Sequence, residues 1–107
     1  MTSFSLHDLE KRVHERAQAS AEVSYTRQLI ERGVDHCAKK LGEEAIETVL
    51  AAVSEDCARL TAEAADLIYH LLVLLHARGI ALADVEAVLA ERTKQSGIAE
   101  KAARGKR

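Results

Sequence analysis

Two short acidic segments hold the residues best suited to chemistry. Glu43-Glu44-Ala45-Ile46-Glu47 pairs Glu44 with Glu47 at i, i+3, and Glu63-Ala64-Ala65-Asp66 pairs Glu63 with Asp66 the same way. On a helix such a pair shares one face, with Cβ atoms about 5–6 Å apart. The segments flank a compact polar turn, Ser54-Glu55-Asp56. With the turn centred on Glu55, Glu47 lies eight residues before it and Glu63 eight after; Glu44 lies eleven before and Asp66 eleven after. In an antiparallel helix hairpin, residues equidistant from the turn are level. The spacing therefore brings four acids to one pocket.

Four converging carboxylates repel one another unless they are protonated, solvated or bound to a cation. Hard oxygen ligands suit Mg²⁺, with Mn²⁺ as a substitute, and Mg²⁺ suits a pyrophosphate or triphosphate. The plain alternative is a solvated acidic face paired with Lys39 or Lys40. For a lone E-x-x-E that alternative would prevail; two motifs level on one hairpin and flanked by leucines favour a site. Lys40 is level with His70, one turn beyond the acids. It precedes Glu44 by four residues, the weaker orientation for a helix ion pair, which leaves it free to meet an anion. Glu43 has two readings, a further base or ligand and an exposed acid. His70 has two as well, a phosphate contact and a hydrogen-bonded core histidine. Tyr69 reads as core.

The elements that must carry these residues follow from periodicity and punctuation. Ser5-Leu6-His7-Asp8 has the form of a capping box, and Leu6, Leu9, Val13 and Ala17 follow at helical spacing. A loop is expected over 18–24 and a short helix over 26–32, stopped by Gly33. A third helix is expected from Asp35, a good N-cap, to about Val53, with Gly42 inside it. A fourth runs over 57–78 to Gly79, and a fifth over 82–95 with Val85, Val88 and Leu89 on one face. Residues 98–107 form a basic tail. Leu71, Leu72, Val73, Leu74 and Leu75 are consecutive, so the fourth helix is apolar all round and must be surrounded. A homodimer pairing two long-helix hairpins into a four-helix core would cover it.

Composition agrees. The chain has 107 residues, no proline, no tryptophan and 3% aromatics, which argues against a sandwich or barrel. At 48% apolar content it has enough to bury to be one ordered domain, residues 1–107, and its excess of Ala, Leu, Glu, Lys and Arg makes that domain all-α with about five helices. A net charge of −2 gives no nucleic-acid footprint. The start has no signal-peptide core, and the apolar stretch at 67–77 is too short and too polar to span a bilayer; a cytoplasmic protein with no membrane partner is expected. Cys37 and Cys57 fall on opposite helices at heights differing by roughly 24 Å, far beyond the reach of a disulfide, and read as small apolar side chains.

Several segments together resemble the phosphoribosyl-ATP pyrophosphohydrolase family. They are Ser24-Tyr25-Thr26, Gly33-Val34-Asp35, Lys39-Lys40-Leu41-Gly42-Glu43-Glu44-Ala45-Ile46-Glu47, Glu63-Ala64-Ala65-Asp66-Leu67-Ile68-Tyr69-His70-Leu71-Leu72, Arg92-Thr93-Lys94-Gln95-Ser96-Gly97 and Glu100-Lys101-Ala102-Ala103-Arg104. The acidic motifs alone mark only the wider all-α nucleoside triphosphate pyrophosphatase superfamily. The likeness covers residues 24–104 and implies hydrolysis of phosphoribosyl-ATP to phosphoribosyl-AMP and pyrophosphate by a cytoplasmic, Mg²⁺-dependent homodimer. It implies metal ligation by Glu44, Glu47, Glu63 and Asp66, with Glu43 as a possible base. Lys40, and less firmly Lys39, would neutralise phosphate, and Tyr25 and Thr26 would help hold the substrate. The tail is open to two readings, a frayed terminus and a flap whose Arg92, Ser96 and Lys101 contact the phosphoribosyl 5′-phosphate. Two rivals carry the same acids or the same helices: a house-cleaning pyrophosphatase for free nucleotides, and a non-catalytic helical interaction dimer.

Overall fold

Both acidic segments lie on 21-residue helices joined by a short turn. In the computed structural model, which describes residues 3–94 and 97–105, the order is α1 Leu6–Ala17, α2 Tyr25–Glu31, α3 Val34–Ser54, α4 Cys57–Ala77, α5 Leu82–Arg92 and α6 Gly97–Gly105. No strand occurs among the described residues, and the all-α expectation holds. The α3–α4 hairpin is by far the most extensive packing contact; α1 and α2 cover part of it.

Local chemistry sets most of the helix ends. The Ser5 hydroxyl accepts from the Asp8 amide at 3.1 Å while Asp8 accepts from the Ser5 amide at 3.0 Å, completing the capping box. Ser24 caps α2 through the Arg27 amide at 3.1 Å. Asp56 caps α4 through the Arg59 amide at 2.8 Å. At the end of α4, Gly79 takes φ 70°, and the amides of Gly79 and Ile80 return to the carbonyls of His76 and Leu75 at 3.0 and 2.9 Å. This is the paired closure that a left-handed residue after a helix permits.

Four sequence-based boundaries shift. Tyr25, not Thr26, opens α2. The third helix begins at Val34 rather than Asp35, because Gly33 occupies the cap at φ 95°, ψ 172°. Asp35 sits instead in the first turn, where its charge suits the helix dipole. The fifth helix stops at Arg92 rather than Gln95, which lies outside the described residues. The expected tail is largely a sixth helix, α6, since Ile98, Ala99, Lys101, Ala102, Ala103 and Arg104 form a run that favours helix.

The core gathers Val13, Leu29, Cys37, Leu72, Val73 and Leu82 at the end of the hairpin far from its turn. Cys37 donates from Sγ to the Leu29 carbonyl at 3.3 Å, and Cys57 is exposed; neither forms a disulfide. Within the leucine run, Leu72 and Val73 are buried, Leu74 and Leu75 are half-buried, and only Leu71 is exposed. The chain itself thus covers most of the segment expected to need a partner. An uncovered apolar stripe lies on α3, where Ile46, Val49, Leu50 and Val53 are 57–79% exposed, and Val88 and Leu89 on α5 are exposed too. By length and composition the whole of α4 passes for a membrane-crossing helix, as the core helix of a soluble protein also does. Its inner face carries Glu63 and His70 and packs along α3, as in the core helix of a hairpin.

Candidate active site

Packing of α3 on α4 brings one carboxylate oxygen each of Glu44, Glu63 and Asp66 to within 4.8 Å of one another. Glu44 is half-buried, Glu63 only 5% exposed, and Asp66 open to solvent. Glu47, one turn along α3, acts on both Glu44 and Glu63. All four sequence-predicted acids therefore converge, with Glu47 nearest the turn.

Thr48 fixes the register. Its hydroxyl lies 2.8 Å from the Glu44 carbonyl on its own helix and 3.2 Å from the Glu63 carbonyl across the hairpin. Arg59, one turn before Glu63, places Nη2 3.4 Å from its Oε1. Buried Glu44 Oε2 and Glu63 Oε2 have no hydrogen-bond partner among the described residues. Burial, followed by the neighbouring acids, pushes the Glu44 carboxyl above the usual range. Glu63 is raised in the same way, burial first, then its contact with Glu47, with Arg59 opposing. Orphaned carboxylate oxygens at this spacing suit a hard divalent cation, which would satisfy them and offset the repulsion.

The surrounding groups separate into partners and braces. Lys40 pairs with Glu43, Nζ to Oε1 at 3.3 Å, rather than with Glu44. That contact, and then Tyr25, hold its ammonium above the ordinary lysine value. Glu43 thus stands outside the group of acids, on the exposed side. His70 is 5% exposed, with Nε2 3.9 Å from Glu44 Oε1. Burial and then Lys40 lower its pKa and favour the neutral ring. Its ring meets those of Tyr69 at 5.0 Å and Tyr25 at 6.2 Å, both edge-on, which fits the core reading. Thr26 is 2% exposed and its Oγ1 lies 2.6 Å from the Tyr69 hydroxyl, so it braces Tyr69. Tyr25 is 51% exposed and stacks on Tyr69. Lys39 is exposed beside Lys40.

Arg92 and Lys101 are exposed on α5 and α6, and among the described residues these helices make no extensive contact with α3 or α4. Ser96, Lys106 and Arg107 lie outside the described residues. Two groups escaped the sequence reading. Arg59 was legible as an i, i+4 partner of Glu63; Thr48 gave no signal, because its role depends on a carbonyl of the opposing helix.

Comparison with known proteins bears on this geometry. Residues 6–93 match the model of a family described as phosphoribosyl-ATP pyrophosphohydrolase. The chain is 59% identical over 104 residues to phosphoribosyl-ATP pyrophosphatase 1 of Bradyrhizobium diazoefficiens, covering 97% of this chain and 98% of that protein. It is 55% identical over 106 residues to the phosphoribosyl-ATP pyrophosphatase of Nitrobacter winogradskyi, covering 99% and 91%. The Azorhizobium caulinodans protein of that name is 59% identical over 100 residues, covering 94% and 92%. A match over most of the chain, in which both acidic segments fall, places it: the chain belongs to the phosphoribosyl-ATP pyrophosphohydrolase family.

Proposed function

We propose that this chain is the phosphoribosyl-ATP diphosphatase of histidine biosynthesis, working in the cytoplasm. It hydrolyses the α–β phosphoanhydride of 1-(5-phosphoribosyl)-ATP to 1-(5-phosphoribosyl)-AMP and pyrophosphate, the second step of that pathway. The observation that carries the reading is the pair Glu44 and Glu63, each with a buried, unpartnered oxygen, level with Asp66 in a member of this family.

Glu44, Glu47, Glu63 and Asp66 would hold Mg²⁺, or Mn²⁺ in its place, and the ion would supply charge compensation for the triphosphate. A water attacks in line, and a carboxylate of the cluster orients it and takes its proton. Lys40 stands one turn away, able to exchange its pairing with Glu43 for a phosphate oxygen. Neutral His70 and the Thr26–Tyr69 pair keep the wall of the site fixed.

Assembly belongs to the same reading. Ile46, Val49, Leu50 and Val53 form a stripe at helical spacing on α3, largely exposed. The radius of gyration is 16.2 Å, against roughly 13 Å for a compact domain of this length. A homodimer that seats the stripe against its copy buries it and builds a four-helix core around the hairpins.

The decisive experiment is Glu47→Gln. Its Mg²⁺-dependent release of pyrophosphate from phosphoribosyl-ATP is expected to disappear while circular dichroism stays helical. Full activity in that variant would refute the metal role. A panel of free nucleotides run beside phosphoribosyl-ATP separates this activity from a house-cleaning pyrophosphatase.

A further inference from the structure

A cleft of about 330 Å³ opens between α1 and the facing parts of α2 and α4. Val13 and Thr26, each 2% exposed, lie at its base. Arg12 and Arg16 line it from consecutive turns of α1, with exposed Tyr25 opposite. At i, i+4 the two arginines share one helix face. Neither forms an ion pair with a carboxylate among the described residues. The Arg12 guanidinium rests 4.7 Å over the Phe4 ring. Asp8, one turn before Arg12, feels the Arg12 charge, but no acid is among the residues that line the cleft, so the two guanidiniums face it without a carboxylate in its wall. Their forked donors suit a phosphate monoester.

Tyr25, on the wall of the cleft, is joined to the acids through His70. The Tyr25 ring lies 6.5 Å from that of Tyr69 and 6.2 Å from that of His70, and His70 reaches Glu44 at 3.9 Å. Phosphoribosyl-ATP is anionic at both ends, with a triphosphate on one ribose, a phosphate monoester on the other and adenine between them. A molecule with its triphosphate at the acids and its base along Tyr25 delivers the monoester to the cleft.

On the reading of the substrate given above, we infer that Arg12 and Arg16 bind the 5′-phosphate of the second ribose and so select phosphoribosyl-ATP over ATP. The role falls to α1, within the body of the fold.

The test is a double variant, Arg12→Gln with Arg16→Gln, in the full chain with saturating Mg²⁺. Three quantities are read: the KM for phosphoribosyl-ATP, the inhibition constant of ATP against its hydrolysis, and that of ribose 5-phosphate. The expected result is a KM raised about 100-fold, ribose 5-phosphate inhibition weakened in parallel, and an unchanged constant for ATP. Lys11→Gln, which removes one charge from α1 at a neighbouring position, is expected to leave all three unchanged. An unchanged KM in the double variant overturns the inference. So does a KM that rises together with the ATP constant, since the arginines would then act on the site as a whole. If the wild-type chain releases no pyrophosphate from phosphoribosyl-ATP, the functional reading itself has failed, a result separate from either of these.

Discussion

Glu63 holds an acid where solvent hardly reaches it. Its folded pKa is raised above the ordinary 4.5, by burial first and by Glu47 next. The folded state therefore keeps that proton at a pH where the unfolded chain has lost it. Without metal, stability falls as pH rises from 4.5 through the folded value. His70 acts in the other direction: burial lowers its folded pKa below 6.5, so stability also falls as pH drops below 6.5. In chelator, Glu63→Gln is expected to raise Tm at pH 7 and to flatten the decline toward neutral pH, and to remove the gain in Tm that Mg²⁺ gives the wild type. Thermal unfolding from pH 5 to 8, with and without Mg²⁺, checks it; a lower Tm in chelator at pH 7 would contradict it. At this scale the sequence was informative wherever function depends on local spacing. Glu44, Glu47, Glu63 and Asp66 follow from helix periodicity and one turn centre. Thr48, Arg12 and Arg16 do not, because their roles depend on what another helix presents to them.

Among the elements, the joint between α2 and α3 is the most demanding. Gly33 at φ 95°, ψ 172° lies where a side chain is strained, although a Cβ there would meet no neighbour within 4 Å. Gly33→Ala is therefore expected to destabilise by about 1–3 kcal/mol through the backbone alone, measured by urea unfolding. A loss near zero would mean that the start of α3 can rearrange. The same joint explains why the third helix was expected one residue late. Asp35 is a good cap on paper, but glycine took the cap because the chain must turn sharply there. The helices themselves were legible, since caps, glycine stops and apolar spacing agreed along α1, α3 and α4. The basic tail was misread because charge and length were weighed above the helix preference of its alanines.

For the whole molecule, the leucine run is only partly covered, with Leu71 exposed and Leu74 and Leu75 half-buried. Consecutive apolar residues on α4 do require cover, and α3, α1 and α2 together supply much of it within the chain. A further exposed apolar stripe lies on α3, hidden in the sequence by the acids interleaved with it. Val49→Asp, placing a charge amid that stripe, is expected to convert a dimer to monomers at micromolar concentration, read by sedimentation velocity. A dimer of unchanged stability would exclude this face as the interface.

The two cysteines give the chain its own clock. Cys57 is exposed at the start of α4, whereas Cys37 is 1% exposed in the core beside Leu29 and Val73. A thiol reagent should therefore react in two phases, one immediate and one no faster than the opening of the core. The slow phase measures that opening without any engineered probe. Repeating it with Mg²⁺ and with substrate would report how far events at the acids steady the opposite end of the hairpin.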